Sequence, residues 1–176
     1  ISPEHTNLEC FDWRISLACV EREGPFSLFP DTDRTLLLIE GECLQLAMQN
    51  DPPVLITQKT DPFSFPADVP VTSTLPAGAI VDLNIMTRRG KFVHKVEKFS
   101  IRPGDELLCR GAIAIVVALS PTAFAYGDEN LLLGFRDTAI ISDCQNKAVR
   151  IKQRAAKIAI IHLWPCKSQG AFSQAR

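Results

Sequence analysis

The stretch that decides the predicted fold reads Val81-Asp82-Leu83-Asn84-Ile85-Met86-Thr87-Arg88-Arg89-Gly90. Side chains of an extended chain alternate between two faces, so this stretch divides into an apolar face and a polar face. The apolar face holds Val81, Leu83 and Ile85, and the polar face holds Asp82, Asn84, Met86 and Arg88. Asp and Asn are poor strand formers that cost stability unless something needs them there. We therefore expect a strand whose apolar face covers a core and whose polar face lines a pocket.

The composition indicates one compact globular protein. The chain has 176 residues, of which 46% are hydrophobic, and at this size it buries about 70% of its unfolded surface. Its 19 basic and 20 acidic side chains give a net charge of -1, so no overall field attracts nucleic acid or an anionic membrane. The longest apolar runs, 112–119 and 158–164, are shorter than the roughly 18 residues that span a bilayer. No signal peptide is recognisable, and we expect a cytoplasmic protein.

The spacing of turn-forming residues predicts an all-β fold. Twelve prolines and nine glycines interrupt the chain at short intervals, and the segments between them are rich in Val, Ile, Leu, Phe and Thr. The predicted strands are Asp12–Val20, Arg34–Glu40, Cys43–Gln49, Val69–Leu75, Ile80–Thr87, Phe92–Ile101, Glu106–Leu119, Asn130–Phe135, Thr138–Ser142, Ala148–Arg154 and Lys157–Trp164. Strands with this spacing are typical of a β-sandwich or β-barrel.

Other segments have a different pattern. Gln49–Pro66 holds four prolines, so we expect a long connection that places Phe63 and Phe65 at the edge of the core. Residues 147–157 are the best helix candidate, but basic and apolar side chains alternate there, and a strand is favoured.

The predicted domain organisation is one unit over 1–165. A Pro-Gly turn at 103–104 separates two apolar blocks, and these halves, about 1–101 and 106–165, are expected to share a core. Residues 166–176 are polar and small, and we expect a disordered tail.

The spacing of histidines and cysteines argues against a metal or redox site. The three histidines are His5, His94 and His162, without an H-x-H or H-E-x-x-H motif. The six cysteines are scattered without a C-x-x-C pair, and we expect reduced, mostly buried thiols. Phosphate-binding glycine motifs are also missing from the sequence. We therefore expect no metal and no other cofactor.

Arginines and small polar residues near the first strands are candidate ligand contacts. Alternation places Arg14 and Ser16 on one face of the first strand, where small neighbours leave room beside the guanidinium. Arg34 follows a turn rich in Asp, and an arginine at a barrel mouth suits a carboxylate ligand. A weak surface salt bridge to one of those Asp residues is the alternative role. Ser27 follows Gly24-Pro25-Phe26 without a nucleophile motif, so it is a turn serine that remains available to a ligand.

Four motifs across the first half, in this order and spacing, resemble the HutD/Ves family. They are Phe11-Asp12-Trp13-Arg14-Ile15-Ser16-Leu17-Ala18, then Gly24-Pro25-Phe26-Ser27-Leu28-Phe29-Pro30 with Asp33-Arg34, then Pro62-Phe63-Ser64-Phe65, and finally Asp82-Leu83-Asn84-Ile85-Met86-Thr87-Arg88-Arg89-Gly90. The second half is similar to the family only in its strand-rich character.

The resemblance implies a cupin fold in which two jelly-roll-like halves pack as a bicupin. It also implies a cytoplasmic protein associated with histidine utilisation or stress response, in which sensing of formylglutamate is favoured over catalysis. Two features depart from the family pattern. The Trp-, Asn- and Gly-containing segment that usually opens the family is absent, so we expect the sequence to begin inside a longer chain. Asp31 stands where a glycine is usual.

Together these features predict a non-enzymatic, metal-free bicupin that binds a small acidic metabolite in a barrel pocket. Arg34 and Arg14 are expected to pair with carboxylates, and Asn84 and Ser27 to orient the ligand. The remaining expected contacts are Ser16, Asp82, which holds an arginine or accepts an amide N–H, Met86, which lines the apolar part, and Arg88, at the strand end.

Three alternatives remain open from the sequence. A metal-independent cupin isomerase or epimerase needs a histidine, an acid and Tyr126, the only tyrosine, in one cavity. A structural or protein-binding module needs a barrel interior filled with side chains. Asp82 and Asn84 are alternatively an inward polar pair that bonds the barrel itself. The sequence does not fix the oligomeric state, and a homodimer is compatible with it.

Overall fold

The computed structural model of the chain describes residues 1–3, 11–49, 51–144, 147–153 and 155–166. Sixteen β-strands joined by turns make up this part of the chain, and the all-β prediction is confirmed. The strands are β1 (Trp13–Val20), β2 (Gly24–Pro25), β3 (Thr32–Glu40), β4 (Cys43–Met48), β5 (Val54–Thr57), β6 (Phe63–Pro66), β7 (Val71–Thr74), β8 (Ile80–Arg88), β9 (Phe92–Ile101), β10 (Glu106–Leu108), β11 (Ile113–Ala118), β12 (Thr122–Tyr126), β13 (Glu129–Leu133), β14 (Thr138–Ser142), β15 (Ala148–Gln153) and β16 (Ala156–Pro165). Within these ranges, no helix has the length and apolar character needed to cross a lipid bilayer.

The strands form four sheets of four strands each. Sheet I has the order β1-β8-β3-β6, sheet II β2-β7-β4-β5, sheet III β14-β11-β16-β9 and sheet IV β10-β15-β12-β13. Sheets I and II enclose the apolar core of a first barrel, and sheets III and IV enclose the core of a second barrel. A third apolar cluster joins sheet I to sheet III, so the two barrels pack back to back.

β8 lies at the centre of this arrangement. It pairs antiparallel with β1 on one side and with β3 on the other. Val81, Leu83 and Ile85 pack in the cluster between the barrels, against side chains of sheet III such as Ile115 and Ile161. The expected apolar face of this strand is therefore confirmed, and its opposite face points into the first barrel.

The expectation of a long connection over Gln49–Pro66 is wrong, because this segment contains β5 and β6. β5 pairs with β4 at the edge of sheet II, and β6 pairs with β3 at the edge of sheet I. Proline is tolerated at sheet edges and strand ends, since its missing N–H removes no ladder hydrogen bond there. Phe65 accordingly lies inside the first barrel, where it is buried.

The predicted strand Glu106–Leu119 is divided into β10 and β11, which belong to different sheets. Between them the chain passes close to β16 at Gly111, where an added Cβ atom would lie 2.6 Å from the carbonyl oxygen of Leu163. Only glycine permits such an approach between two backbones. The sequence pattern does not predict β12, because two of its five residues are alanine, which is not a strong strand former.

β9 belongs to sheet III, although the sequence analysis assigned its residues to the first half. It pairs with β16 along its whole length, from Phe92 to Ile101. The chain therefore passes from one barrel to the other in the turn 89–91, between β8 and β9. The alternating segment near the C-terminus forms strand β15, as favoured. Residue 154, where that strand was expected to end, and residues 167–176 of the expected tail lie outside the described residues.

The five described cysteines are free thiols. Only Cys109 and Cys144 are buried, so the expectation of mostly buried thiols is wrong for this part of the chain. Burial, reinforced by the neighbouring Cys144, raises the pKa of Cys109 to about 12. A thiol that remains protonated in this way is a poor nucleophile and packs as a small apolar side chain.

Asp31 adopts a left-handed backbone conformation, with φ of 53°. Only glycine enters this region without steric cost, which accounts for the glycine that is usual at this position in the family that the sequence resembles. We expect Asp31→Gly to raise the free energy of unfolding by up to about 1 kcal/mol, measured by urea denaturation. The matched control is Glu42→Gly, at a position without positive φ, which should lower stability. A loss of stability in Asp31→Gly would contradict the explanation.

Candidate functional site

The polar face of β8 meets the side chains of β1 and β3 inside the first barrel. Strand register places Met86 between Arg14 and Arg34, and Asn84 between Ser16 and Leu36. Cross-strand neighbours of this kind have their side chains on the same face of a sheet. The guanidinium groups of Arg14 and Arg34 therefore point into the barrel on either side of Met86. The neighbouring row carries the amide of Asn84 and the hydroxyl of Ser16.

A cavity of about 440 Å³ opens over these two rows. Six of the eight predicted ligand contacts line it, namely Arg14, Ser16, Ser27, Arg34, Asn84 and Met86. The segment after β1 forms another wall, which includes Phe26 and Phe29. The structure thus brings together most of the residues that the sequence pattern indicated, and it adds an aromatic wall to them.

Arg34 is fixed in this cavity by an amide and an aromatic ring. Its Nε and Nη2 donate hydrogen bonds of 2.8 and 2.5 Å to Oδ1 of Asn84. Its guanidinium carbon lies 4.3 Å from the ring centroid of Phe26, within the range of a cation–π interaction. The residue is 6% exposed. Burial lowers the pKa of Arg34 and the charge of Asp82 opposes this, yet arginine keeps its proton in proteins.

Asp82 lies deeper than the cavity and does not line it. It is 0% exposed, and its Oδ1 accepts a 2.7 Å hydrogen bond from Nδ2 of Asn84. Its Oδ2 has no hydrogen-bond partner among the described residues. Burial raises the pKa of Asp82 to about 6, although the positive charge of Arg34 lowers it. Asp82 therefore acts on the cavity through Asn84, by holding the amide that holds Arg34.

Arg88 also lies outside the cavity. Its Nε donates a hydrogen bond of 3.2 Å to the carbonyl oxygen of Phe11. It stands at the end of β8, where the strand leaves the barrel.

The sequence analysis did not identify Phe26 as a residue that lines the cavity. The signal that could have identified it is its position in the Gly24-Pro25-Phe26-Ser27 motif, which was considered only for its serine.

The two barrels differ in how far side chains fill them. Phe124 and Ile151 lie in the interior of the second barrel, where Phe124 is 1% exposed, and they belong to its large apolar cluster. The interior of the first barrel contains the cavity between its smaller apolar cluster and the arginines. A filled interior, which would favour a purely structural module, is therefore found in the second barrel but not in the first.

The groups that an isomerase site needs do not converge. His94 faces the first barrel from β9, where its ring nitrogens contact Thr35 and Thr87. His162 is buried in the second half, with its Nε2 3.4 Å from Oε2 of Glu97. Tyr126 packs against the second core, and its hydroxyl is buried without a partner among the described residues.

Metal-ligating side chains are similarly dispersed. Within the ranges that the structure describes, no three His, Cys, Asp or Glu side chains are grouped so as to hold a metal ion.

Two antiparallel barrels that pack back to back define a bicupin, and the first of them contains the cavity. The fold of a cupin 2 conserved barrel domain protein from Leptotrichia buccalis is similar, with a TM-score of 0.58 and 13% identity over 86% of this chain and 83% of that chain. The predicted cupin fold is confirmed. The HutD family model matches residues 1–159, and the chain belongs to the HutD family.

One relative supports this assignment, and two solved structures show the same fold. Protein Ves of Citrobacter koseri is 35% identical over 122 residues, which are 69% of this chain and 61% of that protein. HutD from Pseudomonas fluorescens SBW25 has a similar structure, with a TM-score of 0.78 and 20% identity, over 94% of this chain and 85% of that chain. A conserved protein of unknown function from Pseudomonas aeruginosa PAO1 has a TM-score of 0.83 and 21% identity, over 93% and 86% of the two chains.

Proposed function

We propose that this protein binds a small acidic metabolite in the cavity of the first barrel, without catalysis and without a metal, as a sensor or buffer. Formylglutamate, the ligand implied by the family resemblance, is the candidate, and histidine utilisation is the corresponding process. The observation that carries the proposal is the fixed guanidinium of Arg34, which faces a cavity of about 440 Å³.

The hydrogen bonds of Arg34 leave one edge of its guanidinium for a ligand. Nε and Nη2 are held by Asn84, whereas Nη1 has no hydrogen-bond partner among the described residues. The edge formed by Nη1 and the second N–H of Nη2 has the geometry for a bidentate carboxylate. Because the group is already oriented and largely desolvated, little conformational entropy is lost when a ligand binds.

Arg14 supplies a second cationic group at a suitable distance. β1 and β3 are separated by β8 alone, so the backbones that carry the two arginines are about 10 Å apart. Met86 lies between them and offers an apolar contact for a methylene chain. Ser16 and Ser27 can hydrogen-bond an amide or formyl group. This arrangement suits a short dicarboxylate with one further polar group, which is the chemical class of formylglutamate.

Thermal and urea denaturation with N-formyl-L-glutamate test this proposal. At a concentration of about 100 Kd, the ligand should raise the free energy of unfolding by about 2.7 kcal/mol. The dimethyl ester of the same compound lacks both negative charges and should have no effect. Recovery of unaltered formylglutamate after incubation is expected for binding without catalysis.

Variants of two arginines assign the effect to the cavity. Arg34→Gln should raise Kd by about 10–100-fold, since it removes hydrogen bonds to a charged group. Arg88→Gln is the matched control, because Arg88 belongs to the same motif but lies outside the cavity, and it should bind like the wild type. The proposal fails if no small carboxylate stabilises the folded protein, or if Arg34→Gln keeps the wild-type affinity.

A further inference from the structure

A second cleft, of about 380 Å³, lies on the opposite face of the strands that form the first cavity. Its polar lining consists of Asp33, Thr35, Ser64, Thr87 and His94. Arg34 also borders the cleft, but its guanidinium is bound to Asn84 in the first barrel. His94 comes from β9 of sheet III and the others from sheet I, so the cleft is formed where the two barrels meet.

Four of these side chains form one continuous chain of hydrogen bonds. The hydroxyl oxygens of Ser64 and Thr35 are 2.6 Å apart, and Thr35 Oγ1 is 2.7 Å from Nε2 of His94. Nδ1 of the same ring is 2.7 Å from Oγ1 of Thr87. Thr35 and Thr87 are buried, whereas Ser64 is exposed at the cleft. The chain therefore runs from a buried hydroxyl to an accessible one.

The number of available protons determines which group is the donor in each of these hydrogen bonds. If the Ser64 hydroxyl donated inwards, His94 would donate from Nδ1, and the buried proton of Thr87 would have no acceptor among the described residues. A buried donor without a partner is costly. In the opposite direction Thr87 donates to Nδ1, Nε2–H donates to Thr35, and Thr35 donates to Ser64. Every buried proton is then used, and the Ser64 hydroxyl is left to donate into the cleft.

Asp33 provides an acceptor beside this donor. Its Oδ1 accepts from Nε of Arg89 at 2.7 Å, and its Oδ2 has no partner among the residues that the structure describes. Asp33 and Ser64 are diagonal neighbours across the β3–β6 pair, and their Cα atoms are about 7 Å apart. The exposed side chain of Val93 adds an apolar surface. The cleft thus combines one donor, one acceptor and an apolar wall.

We propose that this cleft is a second binding site, for a small neutral polyol. One ligand hydroxyl accepts the proton of Ser64, and a neighbouring hydroxyl donates to the free oxygen of Asp33. Anions are disfavoured, since Asp33 is the one carboxylate among the described lining residues and the guanidinium of Arg34 is bound in the first barrel. Burial lowers the pKa of His94 to about 4, against the opposing charge of Asp33, so the ring is neutral at pH 7 and adds no positive charge.

Nuclear magnetic resonance of the full chain tests both the tautomer of His94 and the binding of a polyol in the cleft. Long-range nitrogen–proton spectra, with His94→Gln to assign the signals, should show His94 as the Nε2–H tautomer. Titration with myo-inositol or D-ribose at pH 7.5 should shift the His94 ring signals. Ser64→Ala should abolish this shift, while Ser27→Ala, a matched control in the first cavity, should retain it.

Each contrary result overturns the inference. An Nδ1–H tautomer of His94 would mean that the hydrogen bonds run the other way, with Ser64 donating inwards. No shift with either polyol at about 100 mM, or an equal shift in Ser64→Ala, overturns the site, since a site with a Kd of about 1 mM would be almost fully occupied at that concentration. A shift produced by ethanolamine but by neither polyol overturns the ligand class. Because formylglutamate is tested separately through Arg34, failure of either site is distinguishable from failure of the other.

Discussion

Arg34→Met is expected to destabilise the protein by about 3 kcal/mol at pH 8, because it leaves the Asp82 carboxylate buried without its cationic partner. Asp82 is 0% exposed, and one of its oxygens has no hydrogen bond among the described residues. In the wild type, Arg34 already opposes the burial that raises the pKa of this group to about 6. Without Arg34, that pKa must rise further.

The sign of the pH dependence follows from this shift. A carboxyl group whose folded pKa is raised contributes stability that is fully present below its unfolded pKa and is lost as pH rises through the folded pKa. The wild type and the variant lose this contribution together up to about pH 6, and only the variant continues to lose it above that pH. The difference in free energy of unfolding should therefore be larger at pH 8 than at pH 5.5.

Urea denaturation at these two pH values, with Asp82→Asn and the double variant, measures the effect. Asp82→Asn removes the charge, so Arg34→Met should cost less in that background. An equal cost of Arg34→Met at both pH values would show that Asp82 and Arg34 are not electrostatically coupled.

Phe124→Ala is expected to lower the free energy of unfolding by about 3–5 kcal/mol, the usual cost of emptying a buried phenylalanine site. Phe124 lies in the filled second barrel, where neighbours such as Ile151 and Val149 cannot collapse into the space. The measurement is chemical denaturation at pH 7, with the slope of the transition compared to show that two-state unfolding persists.

Phe26→Ala is the matched control for this prediction. Phe26 is only half-buried and borders the open cavity, so water can occupy the space left by its ring. The variant should lose only about 1 kcal/mol, mainly the cation–π interaction with Arg34, while its affinity for formylglutamate falls. Equal losses in the two variants would mean that the barrels are filled alike.

The sequence predicts the centre of the molecule better than its edges. In β8 the apolar residues Val81, Leu83 and Ile85 alternate with Asp82, Asn84 and Met86, so both the buried strand and its opposite face are predictable. Prolines obscured β5 and β6, because a breaker at a sheet edge is not distinguishable by pattern from a breaker in a loop. The placement of β9 in the second barrel depends on long-range pairing with β16, which no local pattern encodes.

Site residues show the same division. Alternation and the family motifs indicated Arg14, Arg34 and Asn84 as inward groups, and the register places them around one cavity. The depth of Asp82 was not predictable, since alternation gives the face of a side chain but not its distance from the opening. The contacts of His94 with Thr35 and Thr87 were not predictable either, because they join segments far apart in sequence.

The turn 89–91 has a consequence for the transfer of the cavity to another protein. The strand that carries the cavity residues has its apolar back on sheet III, and the chain passes directly from that strand into the neighbouring barrel. A fragment excised at this turn would expose Val81, Leu83 and Ile85 to water. The unit that must be transferred together with the cavity is therefore the pair of barrels, because the second barrel covers the apolar back of β8.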